Sequence, residues 1–162
     1  MSLSTTNSVK AQVNGQPSFE DGEALEALDV GQVVVQGNGG FTGAGADSKT
    51  TRVVREHRNP AGLGLDDNES PLEKSYAVGA NVETIGFSSH DKARVLLAYA
   101  DVDADGTDDT YQQGDEVGWN ANGYLEVVDG AAVSEAVGRI KQEESVTLGS
   151  TDDPTHTLVE FY

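Results

Sequence analysis

The stretch Arg94–Ala100, RVLLAYA, constrains the fold more than any other part of the chain. Side chains alternate between the two faces of a strand, so Val95, Leu97 and Tyr99 point one way and Leu96, Ala98 and Ala100 the other. Apolar residues on both faces require burial on both, so Ala93–Ala100 is expected as a central strand. Shorter segments carry β-type patterns around it. Val30–Gln36 has Val33 and Val35 on one face. Lys49–Arg58 (KTTRVVREHR) gains strand character from Thr50, Thr51, Val53 and Val54 and is stopped by Asn59-Pro60-Ala61-Gly62. Ser75–Phe87 puts Tyr76, Val78, Ala80 and Val82 on one side and Asn81 and Glu83 on the other.

Val117–Trp119 and Tyr124–Val128 flank Asn120-Ala121-Asn122-Gly123, a hairpin turn by composition. Ser145–Leu148 and Thr155–Tyr162 are expected as the final strands, with Thr157, Val159 and Phe161 sharing a face. Two segments are ambiguous. Phe19–Leu28 fits one helical turn or a β edge. Ala131–Glu144 fits a helix through Val133, Val137 and Ile140, interrupted by Gly138. The glycine-rich run 37–45 (GNGGFTGAG) and residues 62–71 are expected as loops. Turn signals recur every ~8–12 residues, which predicts an all-β fold, a small barrel or sandwich with long loops and at most one short helix. The 162 residues suit one domain of the usual roughly 100–200 residues. Residues 1–18 are expected as a polar N-terminal arm or edge strand, and 19–162 as a single β-rich domain.

Charge narrows the function classes. Asp and Glu number 28 against 10 Lys and Arg, a formal net charge of -18. A chain so acidic is repelled by phosphates, so no nucleic-acid partner is expected. Cysteine is absent, which excludes disulfides, thiolate metal sites and a thiol nucleophile. No stretch approaches the ~18 apolar residues of a membrane helix, and MSLSTTNSVKAQ lacks the apolar segment of a secretory signal. Low hydrophobicity with high charge also describes disordered chains, but these lack apolar strand-like runs. Abundant acids, scarce lysine and small apolar residues instead resemble proteins of extreme halophiles. In multimolar salt the Debye length falls below ~3 Å, which screens self-repulsion.

Two segments could carry chemistry. Asp101-Val102-Asp103-Ala104-Asp105-Gly106 matches the start of a calcium loop. Asp101, Asp103 and Asp105 offer carboxylates, Thr107 a backbone carbonyl and Asp109 a further oxygen, and the sixth-position glycine allows the sharp turn. Calcium or another hard cation is the cofactor such a loop would take. Gln112 stands where the bidentate glutamate belongs, and a solvated hairpin tip is the alternative. The second segment holds Lys49, Arg52, Arg55 and Arg58, four of the ten basic residues. It is either a contact for an acidic partner surface or a set of local salt bridges. His57, His90 and His156 sit in no local catalytic signature, so no enzymatic activity is expected.

A resemblance adds to this. Val95-Leu96-Leu97-Ala98-Tyr99, Tyr111-Gln112-Gln113-Gly114-Asp115-Glu116-Val117, Gly123-Tyr124-Leu125-Glu126-Val127, Ala136-Val137-Gly138-Arg139-Ile140 and Val159-Glu160-Phe161 follow each other in an order that resembles capsid decoration proteins of tailed viruses. The likeness covers roughly residues 76–162. It implies that Ala136–Ile140 is a strand rather than part of a helix. It also implies a homotrimer on the exterior of a viral head, bound to the major capsid protein, without cofactor or catalysis. Together with the halophile composition, the expected setting is the virion of a tailed virus of halophilic archaea. An extracellular calcium-stabilised β module of surface-layer or adhesin type, and another virion component such as a turret or tail protein, are the alternatives.

Overall fold

A strand apolar on both faces needs partners around it, and the structure supplies them. In a computed structural model, the structure describes residues 8–45, 49–57, 72, 74–98, 110–128, 133, 135–143, 146–147 and 155–162. These form thirteen strands: β1 Lys10–Gln12, β2 Ser18–Ala24, β3 Val34–Gly37, β4 Gly40–Gly43, β5 Arg52–Val54, β6 Asn81–Gly86, β7 Lys92–Leu97, β8 Thr110–Tyr111, β9 Glu116–Trp119, β10 Leu125–Val127, β11 Gly138–Ile140, β12 Val146–Thr147 and β13 Thr155–Phe161. The fold is all-β, and no described residue lies in an α-helix.

β7 is the axis of the first sheet, ordered β1-β7-β10-β9-β11-β13 with β13 also paired to β7. The ring β7-β10-β9-β11-β13 is therefore a closed five-stranded barrel, which leaves no free edge within the ring. Its longest seam is the antiparallel β7–β13 ladder, from Thr155 opposite Leu97 to Glu160 opposite Lys92. A strand has two edges and β13 occupies one. β1 and β10 share the other, β1 at Lys92 and Ala93 and β10 at Leu97. Val9, just before β1, is fully buried.

The second sheet runs β3-β4-β2-β6-β5. It curls until Val33, at the root of β3, bridges Val53 in β5. The Gly31 amide donates to the Val54 carbonyl at 2.9 Å, and the Val54 amide to the Gln32 carbonyl at 3.0 Å. A short β8–β12 pair stands apart.

One apolar core joins both sheets, from Val33, Phe41 and Ile85 to Val95, Leu125 and Phe161. Two glycines let the backbones meet. Gly31 has φ +91°, and a Cβ there would lie 2.9 Å from the His156 ring. Gly123 has φ +82°, and a Cβ there would lie 2.8 Å from the Val33 carbonyl. An L side chain is disfavoured at such φ and has no room at either place. Here the Leu96 amide reaches the Gly31 carbonyl at 2.9 Å and the Val33 amide reaches that of Gly123 at 2.8 Å.

Several sequence expectations need correction. Run 37–45 is not all loop: β3 and β4 pair as a hairpin, with Gly37 opposite Gly40 across Asn38-Gly39. Glycine-rich β4 is held because Phe41 is fully buried. The strand expected over Val30–Gln36 begins only at Val34, because residues 30–31 form a turn. Regular alternation over Ser75–Phe87 fails at residues 78–79, a turn that leaves Val78 66% exposed while Tyr76 and Val82 are buried. Among the described residues 49–57 of the 49–58 segment, only Arg52–Val54 is strand. Of Phe19–Leu28, residues 19–24 are strand, within β2, which lies between β4 and β6 and is not an edge. Residues 138–140, within the segment that also fits a helix, are strand β11.

Candidate functional site: an acidic cleft on the second sheet

β2 and β6 pair antiparallel with Asp21 opposite Glu83 and Glu23 opposite Asn81. Directly opposed residues share a face, and two carboxylates so placed repel each other. Arg55 relieves part of this. Its guanidinium lies 3.5 Å from Glu83 and 3.3 Å from Glu56, with its Cζ 5.3 Å from the centre of the Phe19 ring. The chain then bends, and the His57 ring stacks on Tyr76 with centroids 3.8 Å apart at 20°. Tyr76 is fixed from its other end, where its hydroxyl donates to the Arg55 carbonyl at 3.0 Å.

The result is a half-open cleft of about 260 Å³ lined by Asp21, His57, Tyr76, Asn81 and Glu83. Glu83 is buried, whereas Asp21 and Asn81 are exposed. The His57 Nε2 is covered yet has no hydrogen-bond partner among the described residues. Burial pushes the Tyr76 phenol up to about 12, opposed by hydrogen bonding to the Glu83 backbone and reinforced by the charges of Glu83 and Glu56. Chemically, the cleft combines carboxylates, an amide and a flat aromatic wall, groups suited to holding a cation.

A second polar cluster ties the sheets together. Asp29 accepts from Ser75 Oγ at 2.6 Å and from the Tyr124 hydroxyl at 2.9 Å. Burial, with the hydrogen bond to Asp29 and its charge, pushes the Tyr124 phenol up to about 12. Buried Gln32 accepts from the Asp29 amide at 3.0 Å and donates to the Asn122 carbonyl at 2.8 Å.

Of the basic residues singled out in the sequence, three lie among the described residues and each meets an acid of this chain. Lys49 lies 3.3 Å from Glu135, both well exposed. Arg52 lies 3.6 Å from Glu20 and donates to Ser18 Oγ and Thr84 Oγ1. Arg55 faces the cleft as described. Arg58 and the candidate cation ligands Asp101, Asp103, Asp105, Thr107 and Asp109 lie outside the described residues. Among the described residues no group of three or more His, Asp and Glu is arranged to hold a metal ion.

Sequence reading missed the cleft. Its residues come from three segments that only tertiary pairing brings together. The one local signal was the alternation that set Asn81 and Glu83 on a common side.

No protein-family model and no curated protein matches the chain. Among solved structures, the N base of the head fiber gp8.5 of bacteriophage phi29 is similar at 11% identity, with a TM-score of 0.47, over 91% of this chain and 95% of that one. A likeness of that extent decides nothing about function.

Proposed function

We propose that this chain is a structural virion protein, a capsid decoration protein that binds the exterior of the icosahedral head of a tailed virus of halophilic archaea. It acts as a homotrimer on the major capsid protein and performs no catalysis. One observation carries the reading. The five segments whose order resembles decoration proteins each overlap one of β7, β9, β10, β11 and β13, the five strands that close the barrel, and hold β10 and β11 whole. The resemblance thus touches every strand of one ring. The -18 charge supports the high-salt setting, because such a surface needs screening.

The test is binding to purified viral heads in molar KCl, followed by electron microscopy and by light scattering of the free protein. Ordered density on the outer shell and a threefold mass are expected. Heads that carry no such density in virions or after reconstitution would overturn the proposal.

A further inference from the structure

The cleft has one acid with no partner. Asp21 is exposed and makes no ion pair or side-chain hydrogen bond among the described residues, while Glu83 across from it is engaged by Arg55. Among the described residues, Asp21, Glu23, Glu56 and Glu83 stand in or beside the cleft with the guanidinium of Arg55. The His57–Tyr76 stack gives one flat wall, and the covered Nε2 of His57 has no hydrogen-bond partner among the described residues. The rim is apolar. Phe19, two residues from Asp21 on the same face of β2, is 44% exposed. Val78, at the tip of the turn that joins Tyr76 to Asn81, is 66% exposed. The exposed aromatic and aliphatic side chains beside the cleft offer a partner apolar surface to cover around the charge.

We infer that this cleft is the receptor for an arginine side chain presented by a partner protein. A guanidinium is flat, matches carboxylates in two-pronged fashion and stacks on aromatic rings, which a lysine ammonium does not do as well. Asp21 takes the charge and the Tyr76–His57 wall takes the plane. Asn81 supplies an acceptor, and Phe19 and Val78 cover the backbone on either side. That the partner is the major capsid protein rests on the function proposed above. The capture of arginine does not.

The two parts are tested separately. In molar KCl, nuclear magnetic resonance titration of the full chain uses Nα-acetyl-arginine amide as probe and the neutral Nα-acetyl-citrulline amide as control. The arginine probe is expected to shift the amides of Asp21, Asn81 and Glu83. It should bind about tenfold tighter than the citrulline control, and Asp21→Asn should remove that difference. Asp21 is exposed, so the variant is expected to keep the fold, checked by an unchanged spectrum elsewhere. Equal binding of both probes, or shifts confined to other surfaces, would overturn the arginine site and leave the capsid reading intact. The second arm measures occupancy on viral heads. A loss of about tenfold in Asp21→Asn would make the cleft the capsid contact. Wild-type occupancy in that variant would overturn the capsid protein as the cleft's partner. Failure of wild type to bind heads, with the probe still bound, would instead overturn the function proposed above.

Discussion

The barrel and the second sheet are both five-stranded, yet they close differently. The barrel holds a six-residue ladder between β7 and β13, and β7 meets β10 through the single pair Leu97–Leu125. The second sheet closes through the single bridge Val33–Val53 and two neighbouring backbone hydrogen bonds. Their buried polar residues differ too. Among the described strands, the second sheet buries Glu83 and Thr84, whereas the barrel buries Thr157. A closed ring pairs its strands with one another and tolerates an apolar interior. The second sheet spends part of its buried surface on charged and polar contacts, and it carries the cleft. The barrel is thus the scaffold and the second sheet the surface with chemistry.

The largest effects test whether the two sheets are one cooperative unit. Phe161→Ala in the barrel and Phe41→Ala in the second sheet each remove a fully buried ring and are expected to cost about 3–5 kcal/mol. Denaturant unfolding in molar salt, followed by tryptophan fluorescence and circular dichroism, should stay a single transition in both. Two separated transitions in Phe41→Ala would break the shared core into halves. Next comes the tie between them. Asp29→Ala strands the hydroxyls of Ser75 and Tyr124 and should cost about 1–3 kcal/mol, read in the same unfolding assay.

Alkali gives a smaller, directional effect. Tyr76 belongs to the cleft and Tyr124 to the seam, and both phenols rise from 10.0 to about 12 on folding. A raised phenol favours the neutral form in the folded state. Its stabilisation is therefore complete below pH 10 and lost as pH rises towards 12. Ultraviolet titration should show Tyr76 and Tyr124 ionising late, along with Tyr162, whose phenol burial and Glu116 also raise, and stability falling over that window. Loss of the Tyr124 late step as well in Tyr76→Phe alone would mean the two sites are not independent. The smallest effect belongs to Lys49→Ala. Its pair with Glu135 is exposed on both sides, so melting should change by less than about 0.5 kcal/mol.

Much of the barrel was legible because its signals are local. Val95 to Ala98 are buried on both faces, as their composition required. The Trp119–Leu125 hairpin forms around Asn120, whose Oδ1 accepts from the amides of Asn122 and Tyr124. Thr157, Val159 and Phe161 are buried together. The second sheet was harder to read. Gly40–Gly43 has the composition of a loop but becomes β4, because pairing with β2 and β3 and the burial of Phe41 outweigh local propensity. Val78 fitted an alternating pattern that a turn breaks.

By itself the sequence determined that this chain is all-β, that residues 93–98 run through its centre, and that its surface is built of carboxylates. These follow from side-chain period and charge count, which need no neighbour. Only the tertiary structure decided that the ring closes through β7 and β13, and that Asp21 faces Glu83 beside a stacked His57 and Tyr76. Strand register and cross-strand opposition depend on which distant segments meet, and a one-residue slip would send every one of those side chains to the other face.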